Sequence, residues 1–332
     1  HGVVMNSFET TPKDVDFLKE YLGINHLSLH VKTRLRAKRF NMDPEKAWND
    51  ELKWTDSILD ICKKLGVTAT VVSSDFPIDP KYSLSQSSPG FWNSKNHLSD
   101  LFDRVDKLAR HFKGRGKELC AFEILAEPLS RVGKQMKTPD NWPEVRDRII
   151  RIIRKQDPNR WIVTAPGPGG QFSGYLKLNK LEHPGIIYAA HTNQPHGFTH
   201  QGIRNRDLGV TYPGRIRFEK IDQAYLRSIF KPLLEFQQRH DVLVWIGEFS
   251  AVRWAEGAEQ YIKDAVDIFD EYGWSWSYFQ YKGYHGWNPD YNTNHSNDDR
   301  KFWMKNFVGL SSVRWQTLRD IFGVNSAKRS TK

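Results

Sequence analysis

Short runs rich in β-branched and aromatic residues alternate along the chain with longer segments whose apolar residues recur every three to four positions. The first pattern suits buried strands, the second helices that press one face on a core. Eight such pairs are legible. Strands are predicted at Gly2–Asn6, His26–Val31, Thr68–Ser73, Cys120–Leu125, Trp161–Ala165, Gly185–Ala190, Val242–Gly247 and Trp274–Tyr281. Helices are predicted at Asp14–Leu22, Glu51–Leu65, Leu98–Phe112, Trp142–Lys155, Leu176–Leu181, Gln223–Arg239, Ala258–Tyr272 and Ser311–Phe322. Strict strand–helix alternation gives a parallel sheet, and eight repeats in 332 residues give one α/β domain, a (β/α)8 (TIM) barrel over residues 1–332.

Gly23, Gly66 and Gly273 each stand between a helix and the next strand, where a helix ends best on a residue tolerant of positive φ. The longer inserts, Pro77–Asn96, Ser130–Asn141, His196–Lys220 and Lys282–Arg300, all follow strands. They therefore belong to the C-terminal rim, where barrels of this type carry their chemistry.

Composition narrows the function classes. The net charge of +10 would suit an anionic partner of any kind. The basic residues are dispersed, with small clusters at Lys32–Arg39 and Lys328–Lys332. No nucleic-acid-binding motif accompanies them, so a solvated basic surface is expected and no nucleic-acid partner. No apolar run reaches the ~20 residues of a membrane span. The start at His1-Gly2, close to the first strand, suggests a leader already removed and a secreted or periplasmic protein. Cys62 and Cys120 fall in no metal or redox spacing and are expected as free thiols; neither metal nor cofactor is expected. The 12 Trp exceed what a core requires, and flat rings suit stacking on sugars. Trp92, Phe198, Trp254, Tyr284 and Trp287 lie in rim loops as candidate platforms. Trp161 and Trp245 are expected in the core, and His196 and His285 on the surface. The Asn- and Asp-rich stretch Asn288–Asp299 lacks calcium-loop spacing and is expected as a solvated loop.

Two strands end on a carboxylate: Cys-Ala-Phe-Glu-Ile-Leu-Ala-Glu-Pro at 120–128 and Val-Leu-Val-Trp-Ile-Gly-Glu-Phe at 242–249. A carboxylate at the end of a buried strand is costly without a partner or a task. Strands four and seven would set Glu127 and Glu248 across one narrow cleft. Such a pair is either held structurally by arginines and backbone amides, or is the acid/base and nucleophile of a retaining glycosidase.

These two segments resemble the "NEP" and "GEF" strands of glycoside hydrolase family 5, the cellulase-like barrels. The resemblance runs through Gly23-Ile-Asn25, Arg154–Arg160, His191, Phe198-Thr-His-Gln-Gly202, Gly273–Tyr278 and Gly286-Trp287. It implies that Glu127 is the acid/base and Glu248 the nucleophile, and that His191, Asn193, His200 and Tyr278 join Trp92, Trp254, Tyr284 and Trp287 in binding substrate. It further implies a monomeric, endo-acting enzyme that needs no cofactor, on a β-linked polysaccharide: a glucan or mannan, or an atypical, acidic glycan. The departures are specific. Ala126 stands where the family has an Asn on the sugar 2-hydroxyl, Ser28 where it has an Arg beside the nucleophile, Ser74 where it has a His, Asn193 where it has a Tyr, and Phe279 or Gln280 where it has a cleft Trp or His. His200 and Arg253 are candidate replacements. The rival expectation is a barrel that binds carbohydrate after losing turnover. The two diverge on whether new polar residues refill the cleft.

Overall fold

The computed structural model describes residues 1–75, 87–133, 135–204, 206–297 and 299–327, of which 74–75 and 324–327 are described for the backbone alone. Pro77, the side chain of Ser74 and the tail Lys328–Lys332 lie outside the described residues. Eight strands close into a barrel: β1 (Gly2–Asn6), β2 (His26–Lys32), β3 (Thr68–Asp75), β4 (Leu119–Ile124), β5 (Trp161–Thr164), β6 (Ile186–Thr192), β7 (Leu243–Phe249) and β8 (Ser275–Tyr278). Each is parallel to both neighbours, and β1 closes the ring on β8 through Gly2↔Ser277 and Val3↔Tyr278.

The period of two along each strand sorts side chains into two layers. Leu27, Leu29 and Val31 of β2 and Trp276 and Tyr278 of β8 face outward into the main core beneath the helices. Val72, Ala121, Val163, Ala189 and Trp245 belong to a separate cluster inside the barrel. On β2 the inward positions are therefore His26, Ser28 and His30: the His26 ring lies edge-on to Trp245 at 5.8 Å, and Trp245 Nε1 donates to Ser277 at 3.3 Å. Small interior residues on β4 and β6 leave space that polar side chains occupy.

Helix ends follow their local chemistry. The helix Pro12–Leu22 starts with Thr11 N donating to the Asp14 carboxylate at 2.7 Å. The helix Pro44–Leu65 starts with Lys46 N donating to Asp43 at 3.0 Å, seven residues before its predicted start, because Pro44 and Glu45 suit a first turn without adding to the apolar stripe. Gly23, Gly66 and Gly273 have φ of 68°, 65° and 70°, as their placement predicts.

The structure corrects several local expectations. The helix expected at 176–181 is a 3-10 turn, Phe172–Lys177, and a further helix, Thr33–Phe40, directly follows β2. Trp161, expected in the core, is 41% exposed, since it is the first residue of β5, at the open N-terminal end. His285, expected on the surface, is buried and stacks on Trp303 with centroids 5.2 Å apart and planes at 3°. The Asn- and Asp-rich loop is partly interior: Asn288 and Ser296 are buried. Cys62 is buried, Cys120 half-buried, and both are free thiols. Among the described residues no helix is long and apolar enough to cross a membrane.

Candidate active site

The strands β4 and β7 end on the same rim and bring their carboxylates together. One oxygen of Glu127, one oxygen of Glu248 and one ring nitrogen of His191 lie within 4.8 Å of one another. Two local features create this arrangement. Past the end of β4, Leu125 adopts φ of 58°, a left-handed conformation that costs a bulky residue energy and recurs at functional sites. It reverses the chain so that Ala126 packs inside the barrel while Glu127 stands in the opening with 40% of its side chain exposed. On β7 the register slips between Ile246 and Glu248, which sets Glu248 opposite His191 on β6. This is a β-bulge, and Gly247 sits in it. A Cβ at Gly247 would lie 2.8 Å from His191 Nε2, so only glycine leaves room for the ring. Gly247→Ala should therefore leave the barrel folded but displace His191 and Glu248, and lower kcat by roughly 10², the cost of about 1 Å of misplacement. Steady-state kinetics together with a thermal melt would check this.

His191 is at the centre of the charge cluster, with its side chain 1% exposed. Its Nδ1 lies 3.3 Å from Glu127 and 3.6 Å from Glu248, and its Nε2 lies 3.4 Å from Glu123. Burial alone would drive the imidazole neutral, but the surrounding carboxylates outweigh it and hold its pKa well above the ordinary value. Burial raises Glu248 to about 7, against the opposing pull of His191. His30, on β2, places Nε2 3.7 Å from Glu248 and 3.2 Å from the Ser28 hydroxyl, and burial keeps it neutral.

An aromatic wall leads away from this cluster. Phe279 lies 6.4 Å from the His30 ring and 5.4 Å from Trp287; Trp287 in turn meets Tyr284 at 5.2 Å and His200 at 4.9 Å. Trp254 flanks the same loop: a Cβ on Gly286 would approach both its ring and that of Tyr284. Burial, with the charges of His196 and Arg206, lowers His200 to about 3, so it is a neutral ring beside Trp287. Asn193, just past β6, has a buried side-chain oxygen with no hydrogen-bond partner among the described residues. His196 is exposed.

Three expected site residues stand elsewhere. Trp92 is 3% exposed, packs against Phe91 and Trp142, and donates to the Leu129 carbonyl. Phe198 is fully buried against Tyr212 and Tyr261. Tyr278 has the outward parity of Trp276; its hydroxyl donates to the Trp287 carbonyl and accepts from Arg314 at 2.9 Å. It supports the wall from behind, and its inward neighbour Phe279 takes the cleft position. Arg253, a candidate replacement, points away from the carboxylates. It is buried and donates to the carbonyls of His285, Asn292 and Asn294 and to the Ser296 hydroxyl.

Sequence reasoning missed Glu123 and His30. Both are polar residues at inward parity within otherwise apolar strands. The alternation His26-Leu-Ser28-Leu-His30 was a readable sign of a polar barrel interior.

Known proteins show the same architecture. The chain is 23% identical over 259 residues to Cellodextrinase A of Ruminococcus flavefaciens, covering 76% of this chain and 72% of that protein. It is 22% identical over 301 residues to Endoglucanase C of Acetivibrio thermocellus, covering 81% and 83%. Among solved structures, Cel5A of Thermotoga maritima in complex with cellobiose superposes with a TM-score of 0.69 at 20% identity over 96% of this chain and 97% of that one. The family model described as "Cellulase (glycosyl hydrolase family 5)" matches residues 4–308. A match that takes in every barrel strand but the first residues of β1 settles the lineage: the chain belongs to the cellulase family, glycosyl hydrolase family 5.

Proposed function

We propose that the protein is a retaining, endo-acting hydrolase of a β-linked polysaccharide, with Glu127 as acid/base and Glu248 as nucleophile. Family membership supports a glycoside hydrolase, and the endoglucanase relatives favour a β-glucan. The observation that carries the mechanism is the approach of Glu127 and Glu248 to within 4.8 Å. A retaining pair stands ~5–5.5 Å apart, whereas an inverting pair leaves ~6.5–9.5 Å for a water. Glu127, the more exposed, faces the opening through which a leaving group departs. Glu248, with 13% of its side chain exposed, stands where an anomeric carbon would rest against the wall of Phe279 and Trp287.

In the first step an oxygen of Glu248 bonds to the anomeric carbon as the glycosidic C–O bond breaks, and the proton of Glu127 passes to the departing oxygen. In the second, ionised Glu127 takes a proton from water, and the water oxygen displaces Glu248. The rings of His200, Tyr284, Trp287 and Trp254 would hold the sugars flanking the cut. A polymer substrate also fits a secreted monomer.

The binding-only reading predicts an apolar cleft. The interior instead carries Glu123, His30 and His191, which favours turnover. The test is incubation with β-glucans, β-mannans, xylans and acidic polysaccharides, following the first-formed anomer by proton NMR. Initial release of the β-anomer from an internal cut is expected. Initial release of the α-anomer, or no cleavage of any of these polymers, would overturn the proposal.

A further inference from the structure

Glu123 is the last but one residue of β4, four positions before Glu127, with its side chain 1% exposed. An ionised carboxylate there is costly unless a counter-charge accompanies it. Among the described residues its ion-pair partner is His191, at 3.4 Å through Nε2. The phenol of Tyr175 lies close enough to feel its charge but donates to the Ala189 carbonyl at 2.6 Å.

The opposite edge of the imidazole places Nδ1 3.3 Å from Glu127 and 3.6 Å from Glu248; these contacts, like that of Nε2 to Glu123, are charge contacts at ion-pair distance rather than aligned hydrogen bonds. Among the described residues neither of these carboxylates forms an ion pair with an arginine or lysine. Lys32, the last residue of β2, acts on Glu248 only at longer range. His30, the second imidazole, is buried at 5% exposure beside the Ser28 hydroxyl. Three carboxylates thus converge on His191, and the family's arginine is replaced by Ser28.

Resting on the hydrolase reading above, we propose that Glu123 is a positioning residue: a buried counter-ion that keeps His191 doubly protonated, with its Nδ1–H turned to Glu127 and Glu248. The imidazolium then supplies the positive charge that Ser28 cannot. Its placement matters more than its sign. Before attack the negative charge is on Glu248 and the proton on Glu127. After attack Glu248 is an ester and Glu127 the carboxylate. One N–H between the two keeps a cation beside the negative charge wherever it resides, and His191 itself gives up no proton.

The test reads His191 directly, by 15N NMR of histidine-labelled protein, with the resonance assigned from its absence in His191→Asn. In the parent both ring nitrogens should stay protonated from about pH 5 to pH 8, across the range where a free imidazole titrates. In Glu123→Gln, nearly equal in volume, the ring should lose a proton within that range. kcat should fall by roughly tenfold or more, short of the ~10² that removing a direct transition-state donor costs, with KM little changed and the gap from the parent widening as pH rises. Glu123→Asp, which keeps the charge, should keep the imidazolium; this variant and the parent spectrum stand as tests if Glu123→Gln does not fold. A neutral His191 in the parent, an unchanged titration in Glu123→Gln, or a loss confined to KM would overturn the proposal. The NMR readout needs no turnover. An active enzyme with a neutral His191 sinks the pairing alone, whereas an intact pairing in a protein that cleaves nothing supports the pairing and sinks only the hydrolase reading.

Discussion

Glu248→Gln should lower kcat on the best polymer substrate by ~10⁴-fold or more, the scale of deleting a nucleophile. The substitution changes little volume, so the bulge at Gly247, the packing of His191 and the thermal melt should be preserved. What disappears is the oxygen that forms the glycosyl ester. On the proposed mechanism the same residue should set the acid side of the parent's pH profile. Burial raises Glu248 to about 7, and a nucleophile attacks only when ionised. kcat/KM should therefore climb as pH rises through about 7, later than for an exposed carboxylate, whose pKa lies near 4.3. Kinetics of parent and variant from pH 5 to 9 check both statements. Activity persisting in Glu248→Gln would remove the residue from the mechanism, and an acid limb near 4 would show that His191 outweighs burial.

Glu127→Ala should cost ~10²–10⁴ in kcat on polysaccharides, the usual worth of a positioned acid. The loss should depend on the leaving group. A sugar hydroxyl cannot depart unprotonated, whereas an aryl oxygen of low pKa can, so the defect in forming the intermediate should nearly vanish on a nitrophenyl glycoside. Release of the intermediate would then be slow, because no base activates water. A burst of nitrophenol followed by a slow steady state is the expected trace, and azide, which needs no base, should speed the slow phase and yield a glycosyl azide. A uniform loss on both substrate types, with no burst, would place Glu127 outside proton transfer.

The barrel was legible because its signals are redundant. Strand–helix alternation, the post-helix glycines Gly23, Gly66 and Gly273, and inserts placed only after strands all point to one topology. Glu127 and Glu248 were legible because a charge at the end of an apolar strand stands out. The wall was only partly legible. Loop position correctly suggested Trp287, Tyr284 and Trp254 as neighbours, but it could not tell that the short helix Pro89–Asn93 folds Trp92 into the core. Tyr278 was misplaced by one step of strand parity, which decides whether a side chain faces the helices or the lumen. Glu123 and His30 were hidden for a different reason. Their significance depends on which strands become neighbours across the barrel, and Glu248 comes opposite His191 only through the bulge at Gly247.

Arg253 gives the loop after β8 a property that its polar composition conceals. One guanidinium gathers the carbonyls of His285, Asn292 and Asn294 and the hydroxyl of Ser296, and its backbone N–H holds the Gly286 carbonyl at 2.8 Å. Acceptors spread over twelve positions thus share one donor on a different strand connection. A hub of this kind makes local opening cooperative, since freeing one carbonyl strands a buried cation and the remaining acceptors together. Tyr284 and Trp287 ride on this segment, so the aromatic wall should open and close as one unit rather than fray residue by residue.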